Sequence, residues 1–255
     1  MTGAVDHKTG STDVLLRYEE GGGFVMPAFL TSQAPHFTLY GDGNVIFRNP
    51  LLQLPPAEGS VGILNPMRTT KLTEEQIQEL LLLALGEGGL AVARPNYENN
   101  MVADASTAIF TISAGGVEKT VSVYALGMDV QGGADAAARA AFLKLAQRLT
   151  DFDQGGAFET AVYQPAAYRV VLFEAPGVQA PDVRQWPWPD LIVTDFKPDA
   201  DPNGLQFPHR TMTQAEIEKL NVQDFQGGFQ NLVLTGSDGK LYTLSVRPLL
   251  PDDKG

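Results

Sequence analysis

The chain of 255 residues contains no cysteine. Disulfide bonds, thiolate metal sites and cysteine nucleophiles are therefore excluded together. Histidine is also scarce, since only His7, His36 and His209 occur. No HExxH, GxSxG, SxxK or P-loop sequence is present. A triad assembled from distant residues stays open, but the sequence favours a protein without catalytic activity.

The sequence has no long hydrophobic run and few basic residues. The longest apolar run, residues 80–85, is far too short to span a bilayer, and no signal peptide is visible. Lysine and arginine number 18 against 30 acidic residues, which gives a formal net charge of -12. A field of that sign repels phosphate groups and anionic lipids. We therefore expect neither nucleic-acid binding nor direct membrane insertion.

A helix start followed by a hairpin occurs twice in the chain. Thr73 and Gln76 have the spacing of a capping box, and Thr213 and Glu216 repeat it. Each start precedes two β-like segments joined by a glycine turn, at residues 109–124 and again later in the chain. This recurrence predicts an internal duplication. The fold class we expect is α+β, with antiparallel sheets covered by helices and two unequal, related halves.

Composition and turn signals divide the chain into five segments. We expect helix 135–152 to bury an apolar face and residues 191–194 to form a strand. The expected segments are a flexible N-terminal leader at 1–13, a first half at 14–133, a connecting helix at 134–153, a second and shorter half at 154–249, and a tail at 250–255.

Three motifs carry a resemblance to a known family. They are the turn Gly21-Gly22-Gly23 followed by FTLYGDG at 37–43, the helix start Leu72-Thr73, and ADAST at 103–107 leading into FTI at 110–112 and VSVY at 121–124. Over residues 14–126 the chain resembles an uncharacterised family of exported bacterial domains, often found in predicted lipoproteins. The resemblance implies an exported or envelope-associated location, and it offers no chemistry to carry over.

The function that these observations favour is that of a non-enzymatic exported ectodomain or interaction module. We expect it to be tethered to the cell envelope by its N-terminus and to contact a protein or another envelope component. The alternative is a hydrolase with an acidic site. Asp195, Asp199 and His209 are the residues with suitable chemistry for that alternative.

The segment from Asp199 to Gly204 resembles the first half of a calcium loop. Asp199, Asp201 and Asn203 place oxygen ligands on alternate residues before the glycine. Arg210 stands where a closing carboxylate would be needed, so the site would be weak. The simpler interpretation is an acidic turn before a helix. No other cofactor is expected.

Both tryptophans occur in one proline-rich stretch, as Trp186 and Trp188. If exposed, they would form an aromatic binding surface. If buried, they would close the sheet, which is the commoner outcome for aromatic residues. Adjacent glutamates such as Glu19 and Glu20 are interpreted as solvated charge rather than as a catalytic pair.

Overall fold

The computed structural model describes residues 3–25, 27–48, 63–128, 133–154, 156–177, 183–202, 204–222, 225–226 and 229–253. The described chain is a mixed α+β protein with two largely antiparallel sheets. Its helices are α1 Pro27–Ser32, α2 Glu74–Leu85, α3 Ala136–Thr150 and α4 Gln214–Glu218. Its strands are β1 Val14–Gly22, β2 Phe37–Tyr40, β3 Asn44–Phe47, β4 Ile63–Leu64, β5 Arg68–Lys71, β6 Asn96–Tyr97, β7 Ser106–Ala114, β8 Val117–Tyr124, β9 Ala161–Val162, β10 Tyr168–Glu174, β11 Val183–Gln185, β12 His209–Met212, β13 Phe225–Gln226, β14 Phe229–Thr235 and β15 Leu241–Pro248.

The chain forms two compact units that interleave along the sequence. The first unit comprises Met1–Val25, Pro35–Gln53 and Met67–Tyr163, and the second comprises Met26–Ala34, Leu54–Pro66 and Gln164–Gly255. This division differs from the expected succession of 14–133 and 154–249. It arises because α1 packs on strands of the second unit and β4 pairs with β13.

The first unit is an eight-stranded sheet in the order β6-β8-β7-β1-β2-β3-β5-β9. Among the strand pairs described in this sheet, β6 with β8 is the parallel one. Alternation of apolar residues along β1 and β7 gives the sheet a buried face, and α2 and α3 contribute to the same hydrophobic core. Helix α3 therefore belongs to the first unit.

The apolar face that the sequence predicts for helix α3 is confirmed. The helix turns every 3.6 residues, so the apolar positions fall on one side. The predicted residues Phe142, Leu145, Ala146, Leu149 and Phe152 are all buried.

The second unit is built on a seven-stranded sheet whose main order is β12-β10-β15-β14-β13-β4, with β11 added along β14. One face of the sheet carries a core that includes Trp188 and Ile217 of α4. Ser245 lies between two core residues of β15 and so faces the other way. On that face, α1 contacts β15, and the Thr31 and Ser245 hydroxyls lie 2.8 Å apart.

Two helices begin with the same capping geometry. The Thr73 side chain accepts a hydrogen bond from the Gln76 amide, and the Gln76 side chain accepts one from the Thr73 amide at 2.9 Å. Thr213 and Glu216 repeat this arrangement, with the second bond at 2.7 Å. Each box satisfies amides that the first helical turn leaves free.

Thr73→Ala is expected to lower the free energy of unfolding by about 1 kcal/mol, because the cap acceptor is lost. Thr73→Ser keeps the hydroxyl and should remain close to the original protein. Chemical denaturation followed by far-UV circular dichroism measures both. Equal loss in the alanine and serine variants would show that the cap does not stabilise α2.

The N-terminal stretch differs from the expected flexible leader. Val5 is buried, its amide donates to the Gln78 side chain at 2.6 Å, and its carbonyl accepts from the same side chain at 2.8 Å. The Asp6 carbonyl accepts from Gly115 at 2.7 Å. These bonds hold the stretch against α2 and the β7–β8 turn.

Residues 250–253 of the expected tail at 250–255 pack within their unit, and the last two residues lie outside the described residues. Leu250 is buried, and Arg247 makes two hydrogen bonds to the Asp253 carboxylate at 2.9 and 3.1 Å. Such paired bonds fix the geometry of both side chains.

The strand expected at 191–194 is wrong, because a short 3-10 helix, Val193–Asp195, occupies the segment. The Asp195 carboxylate closes this turn by accepting from the Ile192 amide at 2.9 Å. The Leu191 carbonyl accepts from the Trp186 indole at 2.7 Å. Local side-chain bonds therefore replace a strand ladder.

The two hairpins join their sheets differently. In the first unit β7, the first strand of the hairpin, pairs with the rest of the sheet through β1. In the second unit β15, the second strand of the hairpin, pairs with β10. The duplication therefore stays a prediction.

Candidate functional site

Strand β1 places the Glu20 carboxylate at the edge of the first unit's core. Alternate residues of a strand share a face, so Leu16, Tyr18 and Glu20 all point toward the helix-covered side. Leu16 and Tyr18 are buried, whereas Glu20 is exposed. Ala108 of β7 lies directly opposite Glu20. The sheet surface thus passes from apolar core to acidic rim within one strand.

A cleft of about 450 Å³ lies between this end of the sheet and α3. Its volume falls in the range of small-molecule sites. Its apolar lining comes from Ala108, Leu126, Leu143 and Ala146, and its polar lining from Tyr18, Glu20, Ser106, Gln147, Thr150 and Asp151.

The charged groups at the cleft are both negative. Glu20 and Asp151 supply two carboxylates, and among the described residues no lysine or arginine lines the cleft. Arg148 lies in α3, just before Asp151, and interacts with the charge of Asp151. Its guanidinium also donates a hydrogen bond to the Phe152 carbonyl at 2.9 Å, outside the lining. Together with the overall charge of -12, this arrangement attracts cations.

Tyr18 fixes the position of Glu20. Its hydroxyl donates a hydrogen bond to the Glu20 carboxylate, and its ring stacks on Phe110 at 5.0 Å between centroids. Burial, followed by the hydrogen bond and charge of Glu20, raises the pKa of Tyr18 well above its usual range. The phenol therefore stays protonated and acts as a donor rather than as a base.

The structure brings together two of the three residues of the hydrolase alternative. His209 Nε2 lies 3.3 Å from an Asp199 carboxylate oxygen, and His209 Nδ1 lies 3.1 Å from the Phe207 carbonyl. Asp195 instead closes the turn at Ile192. Both ring nitrogens of His209 are engaged within the protein. A general base needs a nitrogen within reach of a substrate or water, so this arrangement does not favour hydrolysis.

The candidate calcium residues form an internally bonded turn where they are described. The second Asp199 oxygen accepts from the Leu205 amide, and the Asp201 carbonyl accepts from Gly204 at 2.9 Å. Asn203 lies outside the described residues. Within the described ranges no three His, Asp or Glu side chains are grouped to hold a metal ion. The calcium site stays a prediction.

The tryptophans pack together rather than presenting a flat exposed surface. Trp188 is only 1% exposed, and its indole donates to the Glu216 carbonyl at 2.7 Å. Trp186 is half-buried and meets Trp188 edge-on at 5.0 Å between centroids. Phe196 completes this cluster. Trp188 is therefore not available for stacking with a ligand.

Sequence reasoning missed the role of Glu20 by treating it as ordinary solvated charge. The signal was present in the period of two that places Glu20 on the same face as Tyr18. Asp151, at the end of α3, has no comparable local signal. These residues meet only through the packing of α3 on the sheet.

Comparison with known proteins found no match among family models, curated proteins or solved structures. In the described part of the chain no helix is long and apolar enough to cross a membrane. The resemblance to exported bacterial domains therefore stays a prediction.

Proposed function

We propose that this protein is a non-enzymatic binding module and that the cleft of the first unit takes an amphipathic cation. The ligand would carry an ammonium or guanidinium group on an apolar stem. A free amine and a lysine or arginine side chain of a partner protein share that chemistry. The observation that carries the proposal is the placement of Glu20 and Asp151 beside an apolar lining.

The two parts of the cleft suit the two parts of such a ligand. The side chains of Leu126, Leu143 and Ala146 offer apolar contact for the stem, which gains free energy as it leaves water. The carboxylates of Glu20 and Asp151 provide acceptors for the charged head. A carboxylate ligand would meet like charge at the same position and should be rejected.

Titration calorimetry with n-hexylammonium, and with hexanoate as the opposite charge, tests this proposal. We expect n-hexylammonium to bind with a Kd on the order of 1 mM, as befits so small a ligand, and hexanoate not to bind. Glu20→Gln combined with Asp151→Asn should weaken binding about tenfold.

Glu118→Gln is a control for the loss of negative charge elsewhere, because this exposed residue lies near the start of β8, outside the cleft. It removes one negative charge and should leave the affinity unchanged. Equal binding of the two probes, or equal weakening by Glu118→Gln, would contradict the proposal.

We also propose that the module is exported and attached to the cell envelope, with a protein or envelope component as its partner. The family resemblance over residues 14–126 supports this location. Fractionation of the native organism, with detection by an antibody, is the direct test. Recovery in the cytoplasm alone would contradict an envelope location.

The duplication is proposed for the local unit of strand, capped helix and hairpin. It is supported by the matching boxes at Thr73 and Thr213 and by the shared order of elements. Exchanging residues 72–77 with 212–217 should preserve both caps and change the free energy of unfolding by less than about 1 kcal/mol. Loss of folding in the exchanged protein would contradict equivalence of the two units.

A further inference from the structure

His36 directly precedes β2 and Arg48 directly follows β3, and the two residues lie opposite each other. The antiparallel register pairs Phe37 with Phe47, and the Arg48 amide extends it by donating to the His36 carbonyl at 2.8 Å. Side chains of directly opposed residues lie on one side of a ladder, about 5 Å apart at Cβ. The two Cβ atoms are therefore close together, and the Arg48 charge acts on the His36 imidazole.

Each of these two side chains has a buried nitrogen without a partner. Arg48 Nε and His36 Nδ1 are inaccessible to solvent and have no hydrogen-bond partner among the described residues. Buried polar atoms in native proteins are nearly always hydrogen-bonded, and a buried donor without a partner costs free energy. Two such nitrogens on adjacent side chains suit a ligand that accepts hydrogen bonds from both.

The other groups around His36 do not supply that acceptor. Its ring stacks on Tyr18 at 5.5 Å between centroids, and the Tyr18 hydroxyl is already committed to Glu20. Burial lowers the pKa of His36, Glu20 opposes this shift, and Arg48 adds to it. Among the described residues, Glu20 and Arg48 are the charged groups that shift the pKa of His36, and Tyr18 stacks on its ring.

We propose that Arg48 and His36 form a binding site for one oxyanion, either a carboxylate or a phosphate group. The Nε edge of a guanidinium binds such groups through two parallel hydrogen bonds. The His36 nitrogen adds a third donor when Nδ1 carries the proton. The bound anion would satisfy both buried nitrogens and neutralise the charge of the half-buried Arg48. Neither Arg48 nor His36 lines the cleft proposed to take a cation, and this site does not rest on that function.

The imidazole signals of the three histidines give a direct test by NMR at neutral pH. Sodium phosphate and sodium acetate are titrated separately against sodium chloride at matched ionic strength. We expect the His36 signals to shift saturably. His7 and His209 serve as controls within the same molecule, since each already pairs with a carboxylate. Saturation with phosphate alone assigns a phosphate ligand, and saturation with acetate assigns a carboxylate.

Thermal unfolding of variants supplies the second test. Phosphate stabilises proteins generally, so the result is the difference between variants. Arg94→Met is the control, because it removes an exposed arginine of the first unit. When the anion that binds is added, the Tm of Arg94→Met should rise by about 4 °C more than the Tm of Arg48→Met.

Two outcomes overturn the proposal. One is a His36 response no larger than those of His7 and His209. The other is an equal anion-induced rise in Tm for Arg48→Met and Arg94→Met. If Arg48→Met does not fold, the NMR titration of the unaltered protein decides alone.

Discussion

Arg139→Met is expected to lower the free energy of unfolding by about 3 kcal/mol. Arg139 is 5% exposed, and its guanidinium donates to the carbonyls of Tyr124 at 2.7 Å and Ala125 at 3.0 Å. Methionine fills a similar volume but cannot donate. The variant therefore leaves acceptors unsatisfied at the end of β8, each at a cost of about 1–3 kcal/mol. Amide hydrogen exchange along β8 and chemical denaturation measure the loss.

Lys144→Met is the control for Arg139→Met, because Lys144 is an exposed residue of the same helix. It removes the same charge and should change stability by less than about 0.5 kcal/mol. Equal behaviour of the two variants would show that Arg139 does not hold the end of β8.

Phe142→Ala is expected to cost about 3–5 kcal/mol, the range for removing a buried phenylalanine. Phe142 is buried, and its ring meets Tyr97 at 4.9 Å and Phe110 at 5.9 Å between centroids. The truncation leaves a cavity beneath α3. The slowest amides of β7 should then exchange roughly 100-fold faster or more, since each 1.4 kcal/mol is a factor of about ten.

Hydrogen exchange is the appropriate measurement for Phe142→Ala, because both tryptophans lie in the second unit and their fluorescence reports on that unit. Val92→Ala is the control, since Val92 is 88% exposed. Unchanged exchange in β7 for Phe142→Ala would contradict the packing of α3 on the sheet.

The sequence predicts elements whose signals are local. The box at Thr73 depends on residues three apart, and the apolar face of α3 depends on one helical period. The helical pattern did not predict the burial of Arg139, because its polar side chain is satisfied by carbonyls distant in sequence. The strand expected at 191–194 failed because the Asp195 and Trp186 side chains bond the backbone locally.

The interleaving of the two units and the cleft could not be predicted. Strands β4 and β13 span two residues each, too short for any periodic signal, and they pair across a long separation. The cleft combines Glu20 with Asp151, which no motif connects. Only Glu20 was indicated by the sequence pattern, as a carboxylate at a core-facing position of β1.

We propose that the cleft beneath α3 binds an amphipathic cation. An NMR titration of the backbone amides with n-hexylammonium tests it most directly, because it shows where the ligand lies. The largest saturable shifts should fall on Glu20, Ser106, Leu143 and Gln147, and hexanoate should leave these amides unchanged. Shifts confined to other surfaces, or equal responses to both probes, would contradict binding in this cleft.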